Sequence, residues 1–307
     1  MTRIVVTGAS GNYGRAFTDA LIAKGRAQDL ILITRTPAKL TDRVAQGCEV
    51  RFGDFDKPET LAAAVTGADK MLLISGTRVG ARVVQHKAAI DAAAKAGVKH
   101  IAYTSFIGID DPANPAEVRH DHIDTEQLIR ASGMAWTMLR DAHYADAMIL
   151  MAGPGVMQSG QWISNAGAGL EAMVWRDDCV AAAVAVMTSE GHEGQTYNIT
   201  GPELQTFEEV TVILSEVTGK SISYVSVDDD QQYAMFDAMG IPRRPVDDQT
   251  VGGLPWNSDD MVTFGQAIRE GFLEVCTKDV ERLTGRPARS VRQMIEENVE
   301  FLRSAAQ

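Results

Sequence analysis

Apolar runs and amphipathic segments alternate over the first half of the chain. Ile4–Thr7, Leu30–Thr34, Glu49–Phe52, Lys70–Ile74, His100–Thr104 and Trp136–Arg140 read as strands. The continuous run Leu30–Thr34 is of the kind buried on both faces of a parallel sheet. Between these runs, apolar residues recur at helical spacing over Ala16–Ala23, from Pro58 and Glu59 onward, over Ala81–Ala96 and over Ala116–Ala131. Six strands alternating with helices predict an α/β fold with a doubly wound parallel sheet and right-handed crossovers.

The regularity stops at Asp141. Tyr144, Met148, Met151, Gly153-Pro154-Gly155, Met157, Trp162 and Trp175 follow without a clear period. Asp177-Asp178 reads as the cap of a helix over Cys179–Met187, and Tyr197–Gly201 as a strand. Thr206 with Glu209 forms a capping box for a helix ending at Gly219, and Ser223–Val227 is another strand. The rest, to Phe301, is mostly helical, with an irregular stretch from Pro242 to Ser258. This pattern predicts a domain over 1–141 with a later contribution from about 170–200, and a smaller, mostly helical substrate lobe over 142–307.

Composition narrows the classes. The chain has 307 residues, 45% apolar and 23% charged, enough for a sizeable core. Its net charge is −12 with no basic block, which argues against a nucleic-acid partner. Cys48, Cys179 and Cys276 form no C-x-x-C pair and read as reduced thiols. The first strand starts too early for a signal peptide, and the longest apolar run is too short to span a bilayer. A cytoplasmic protein with no membrane association is expected.

Candidate chemistry begins at the first turn. Gly8, Gly11 and Gly14 stand at three-residue spacing between a strand and a helix. That arrangement lets a pyrophosphate approach the backbone and meet free N–H groups at the helix start. After the second strand, a dinucleotide fold selects its cofactor: an acid suits the 2′-hydroxyl of NAD, a cation the 2′-phosphate of NADP. Arg35 and Lys39 occupy this place, pointing to NADP(H) over NAD(H), although solvated surface cations would look the same. Asp54, beside Phe55, either accepts from an adenine amino group or caps a turn.

A hydride-transfer site needs a source of protons. No tyrosine is followed four residues later by lysine, and no lysine lies between Lys99 and Lys220. His120 and His122, two apart on a helix, point to different faces. No metal site is expected, because no His or Cys cluster completes one. His122 either faces a nicotinamide, donating a hydrogen bond or a proton near neutral pH, or lies on the helix surface. His143, Tyr144, Met148, Trp162 and Trp175, with Phe106, are candidates for contact with a flat aromatic substrate, Tyr144 also as a catalytic residue.

The assembled motifs resemble the NmrA-like branch of the atypical short-chain dehydrogenases, a Rossmann-like family that includes triphenylmethane reductases and NADPH-dependent quinone oxidoreductases. The resemblance is carried by Thr7-Gly8-Ala9-Ser10-Gly11 with Gly14, Gly53-Asp54, Leu73–Gly76, Gly97–Ser105 and His122 with Thr125-Glu126. It continues through Thr137–Arg140, Asn165–Gly169, Glu190–Glu193 and Thr196–Asn198. It implies that Gly8, Ser10, Gly11, Asn12, Tyr13 and Gly14 hold the pyrophosphate and that Arg35 and Lys39 hold the 2′-phosphate. Asp54 would sit by the adenine; Ser75, Gly76, Thr104 and Ser105 by the ribose and nicotinamide; and His122 where related lignan and isoflavone reductases carry a lysine. The implied protein is a monomeric or homodimeric reductase of a small aromatic molecule. A reductase or lyase of lignin-type aromatic ethers and a non-catalytic NADP(H) sensor are the alternatives.

Overall fold

Residues 2–246 and 257–305 are described in a computed structural model of the chain, the side chain of Met151 excepted. Of the expected irregular stretch Pro242–Ser258, residues 247–256, with Trp256, lie outside the described residues.

Seven strands form the main sheet: β1 (Ile4–Val6), β2 (Leu30–Thr34), β3 (Glu49–Phe52), β4 (Lys70–Leu73), β5 (His100–Phe106), β6 (Ala135–Asp141) and β8 (Gln195–Ile199). Their order is β3-β2-β1-β4-β5-β6-β8, with β7 (Gln161–Ser164) and β9 (Ser223–Ser226) paired in a second sheet. The sheet is parallel and doubly wound, with β1 registered between β2 and β4 through Val5↔Ile31 and Val5↔Met71. Strand order reverses between β1 and β4, the place where such sheets open a crevice beyond their carboxyl ends.

The chain divides into two compact units, one of Met1–Phe106, Asp121–Arg140 and Cys179–Tyr197, the other of Ile107–His120, Asp141–Asp178 and Asn198–Gln307. In the first unit Val5, Ile31, Met71, Leu73, Ile101 and Tyr103 form one buried cluster with Leu61, Val65, Ile90, Ala93 and Ile129 of the flanking helices. Burial on both faces is why β2 reads as an unbroken apolar run.

Three local expectations are corrected. The helix after the first turn starts at Asn12, ahead of the expected Ala16–Ala23, so Gly14 lies inside it. Asp177 and Asp178 do not cap their helix, which spans Arg176–Thr188 and contains both. Asp178 is fully buried and accepts from Arg286 Nη2 at 2.6 Å and from the Arg289 N–H at 2.8 Å. Gly153-Pro154-Gly155 does not interrupt the chain but lies in the helix Ala145–Ser159. The capping box of Thr206 and Glu209 forms as the sequence indicates. Among the described residues no helix is long and apolar enough to cross a membrane.

Candidate active site

The site is built where the strands of the first unit end. Gly8 leaves β1 with φ +58°, a left-handed conformation that favours glycine. A Cβ on Gly14 would stand 2.6 Å from both Ala9 Cα and Gly8 O, so that position also excludes a side chain. The helix Asn12–Ala23 starts with no side-chain cap and no acid in its first turn. Its leading N–H groups lack an internal partner, which together with the helix dipole makes an anion cradle. Ser10 Oγ is tied to Thr34 Oγ1 at 2.9 Å. The Tyr13 hydroxyl is turned inward and donates to Cys179 O at 3.0 Å, leaving its backbone N–H as the group suited to an anion.

Beyond β2, Arg35 and Lys39 are exposed, and among the described residues neither has a carboxylate partner. Asp54, beyond β3, performs the turn-capping role: its Oδ1 accepts from the Asp56 N–H at 3.1 Å. Phe55 packs edge-on to His86 with ring centroids 6.0 Å apart.

The turn after β4 is held by side chains from three elements. The Ile74 N–H donates to Thr7 Oγ1 (2.9 Å), the Ser75 N–H to Thr104 Oγ1 (2.8 Å) and the Gly76 N–H to His86 Nε2 (3.1 Å). Since His86 Nε2 accepts, Nδ1 carries the hydrogen and donates to Thr125 Oγ1 at 3.0 Å, which donates to Asp121 O at 2.7 Å. Burial, with Arg82 nearby, lowers the His86 pKa to about 3, so the ring is neutral. Arg82 Nε donates to Gly76 O at 2.6 Å and closes the turn.

His122 lies in the helix Val118–Ala131 and is 5% exposed, whereas His120 faces solvent. Its Nδ1 is 2.8 Å from the Tyr103 hydroxyl and its Nε2 is 3.4 Å from Arg82 Nη1. Arginine only donates, so Nε2 accepts and Nδ1 donates to Tyr103. Phe106 lies against the ring at 6.0 Å. Burial first, then Arg82 and His86, holds the His122 pKa well below its usual value. The shift disfavours the imidazolium form of His122, and its burial sets aside the helix-surface alternative. Beside it, Ser105 Oγ donates to Glu126 Oε1 at 2.7 Å, and Arg140 grips both oxygens of Glu126 at 2.9 Å.

In the second unit, the Tyr144 hydroxyl donates to Asp141 Oδ2 at 2.7 Å. His143 packs edge-on to Phe264 at 4.6 Å, and Met148 is half-buried. Trp162 and Trp175 serve packing instead. Trp162 is 5% exposed against Phe207, and Trp175 is 7% exposed beneath the Arg289 guanidinium with its indole N–H on Ser290 O. Among the described residues no group of His, Cys, Asp and Glu is arranged to hold a metal ion. A cavity of about 510 Å³ opens at the amino ends of β4 and β5, by Lys70, Lys99 and His100, opposite the strand ends that carry the glycine turn.

Sequence reasoning missed Arg82, His86 and Tyr103. A lone histidine in an apolar helix reads as core, and the available signal was the i, i+4 pair Arg82 and His86 just after the Ser75-Gly76 turn.

The model of the NAD(P)H-binding family matches residues 8–189. Quinone oxidoreductase 2 of Escherichia coli strain K12 is 35% identical over 95% of this chain and 97% of its own length. The crystal structure of an NADPH-dependent quinone oxidoreductase from Escherichia coli, complexed with NADPH, superposes with TM-score 0.86 at 32% identity, covering 97% of this chain and 99% of that one. That of the Citrobacter sp. triphenylmethane reductase complexed with NADP(H) gives 0.84 at 33%, covering 98% and 99%. A strand-ending glycine turn with an uncapped helix start fits the same cofactor here. The chain belongs to the NAD(P)H-binding family, as an oxidoreductase of its NmrA-like, atypical short-chain branch.

Proposed function

We propose that the protein reduces flat, conjugated, electron-poor small molecules, quinones or cationic dyes, with NADPH. The backbone N–H groups from Gly8 to Gly14 bind the pyrophosphate, Arg35 and Lys39 the 2′-phosphate. Asp54 and Phe55 border the adenine. Ser75, Gly76, Thr104 and Ser105 border the ribose and nicotinamide, with the turn kept rigid by His86 and Arg82. When bound, NADPH supplies a hydride.

The observation that carries this reading is the neutral, sealed His122 in a chain without a Tyr-x-x-x-Lys pair. Ketone and ether substrates need strong proton donation as hydride arrives, whereas a quinone delocalises the charge it gains and a cationic dye is neutralised. Catalysis on such acceptors rests mainly on positioning two planes. The names of the relatives, a quinone oxidoreductase and a triphenylmethane reductase, support it. The test is oxidation of NADPH and NADH by the purified protein against quinones, triphenylmethane dyes and aryl ketones. Turnover on quinones or dyes with NADPH preferred is expected. Turnover confined to ketones or aromatic ethers, or tight NADP(H) binding with none, overturns the reading.

A further inference from the structure

Among the described residues two arginines are buried, Arg140, 7% exposed, and Arg119, 9% exposed. Arg140 grips both oxygens of Glu126. Arg119 has no such partner: among the described residues nothing forms a hydrogen bond or ion pair with its guanidinium. Its Nε is sealed without a partner, so the access that remains belongs to the rest of the side chain, with the two Nη groups at its tip. Arginine stays protonated in proteins, so the charge is fixed. A solvated arginine buries its stem and holds the guanidinium in water, whereas here part of that group is shut off without compensation.

The chain around Arg119 supplies no counter-charge. The positions three and four away hold Pro115, Ala116, His122 and Ile123, none of them a carboxylate. The nearest acids are engaged elsewhere: Glu117 lies 4.0 Å from Arg244, and Asp121 accepts from the Gly80 N–H at 2.7 Å. Arg119 also stands in the first turn of the helix Val118–Ala131, where the helix dipole disfavours a cation.

Its backbone is nevertheless held firmly, by residues of the second unit alone. Asn114 Nδ2 donates to Gly108 O at 2.7 Å, and its Oδ1 accepts from the Ala116 N–H at 3.0 Å. The Glu117 N–H donates to Thr263 Oγ1 at 3.1 Å and the Arg119 N–H to Ala116 O at 3.0 Å. A cation fixed in place, partly sealed and left without a counter-charge is arranged for an anion from outside the chain.

We infer that Arg119 forms an anion-binding site in the second unit, which takes a carboxylate or phosphate group of a small molecule. The terminal N–H groups make a planar fork that matches paired oxygens. The inference draws on neither the reductase reading nor the cofactor.

The test uses the full chain without cofactor at low salt, with benzoate and inorganic phosphate as probes and Arg119→Met and Arg119→Lys as variants. Without a probe, Arg119→Met should melt a few degrees above the wild type, because it removes an uncompensated charge and keeps an apolar stem. In calorimetric titration the Kd of at least one probe should rise about ten- to hundredfold in Arg119→Met. It should also rise in Arg119→Lys, which keeps the charge and loses the fork. Weakening of benzoate alone assigns a carboxylate ligand, and of phosphate alone a phosphate ester. Phosphate held at the glycine turn of the first unit would bind all three proteins alike. An Arg119→Met variant that melts below the wild type shows that the chain itself neutralises the guanidinium, and overturns the inference. Probes that do not bind the wild type, or that bind all three proteins equally, overturn it too.

Discussion

His86 makes the cofactor turn dependent on one neutral ring. Protonating Nε2 would set two donors, its own hydrogen and the Gly76 N–H, against each other. Its pKa of about 3 in the folded chain lies below the ordinary value of 6.5. Between those values the unfolded chain binds a proton that the folded chain does not, so stability falls as pH drops below 6.5 and is unaffected above it. The slope is about 1.4 kcal/mol per pH unit for one ring. In urea unfolding between pH 6 and pH 4, His86→Gln, whose amide oxygen can accept from Gly76, should lose one proton's share of that slope. An unchanged slope would mean that His86 is protonated in the fold. At this scale the sequence was only partly legible. The glycine turn between β1 and its helix could be read because strand order and spacing announce it. His86 and Arg82, which hold the turn after β4, and Tyr103, which pairs with His122, could not, because their roles arise from three-dimensional convergence.

Glycine has opposite meanings in two helices. At Gly14 a side chain would press on the backbone of Gly8 and Ala9 at 2.6 Å, and no rotamer change relieves a backbone clash. Gly14→Ala should therefore destabilise by about 1–3 kcal/mol and weaken NADPH binding with it. At Gly155, exposed in the helix Ala145–Ser159, a Cβ meets nothing within 4 Å. Gly155→Ala should stabilise by about 0.5–1 kcal/mol, the usual gain for a helical glycine. Thermal melting of both variants checks the pair, and opposite signs are the outcome expected. The same helix explains why local pattern failed at the element scale. Gly-Pro-Gly reads as a break, but a Cβ at Gly153 would stand 2.7 Å from Leu302 Cδ2, so the glycine admits a side chain from the helix Val299–Ala305. That is a tertiary requirement 149 positions along the chain, which no local window reveals. The parallel strands had no such problem, because two-sided burial writes itself into a continuous apolar run.

For the whole molecule, the doubly wound order was legible from the alternation of strand and helix, since right-handed crossovers leave few ways to arrange it. What the alternation does not specify is which cofactor the finished sheet prefers. The net charge is −12, so the long-range field opposes an anionic ligand and attraction must be local. Arg35 and Lys39, exposed and without carboxylate partners among the described residues, are the local source beyond β2. Ligand binding adds its free energy to folding: at a concentration one hundred times Kd, NADPH should stabilise by about 2.7 kcal/mol. On the proposed reading, replacing both cations by alanine should raise the Kd for NADPH about a hundredfold, which corresponds to about 2.8 kcal/mol. At the same NADPH concentration the stabilisation should then fall below about 0.5 kcal/mol. NADH has no 2′-phosphate, so its Kd should be the same in the wild type and the double variant. Melting curves with each cofactor decide it. An equal loss for both would mean that these cations support the fold or the pyrophosphate instead of selecting NADPH.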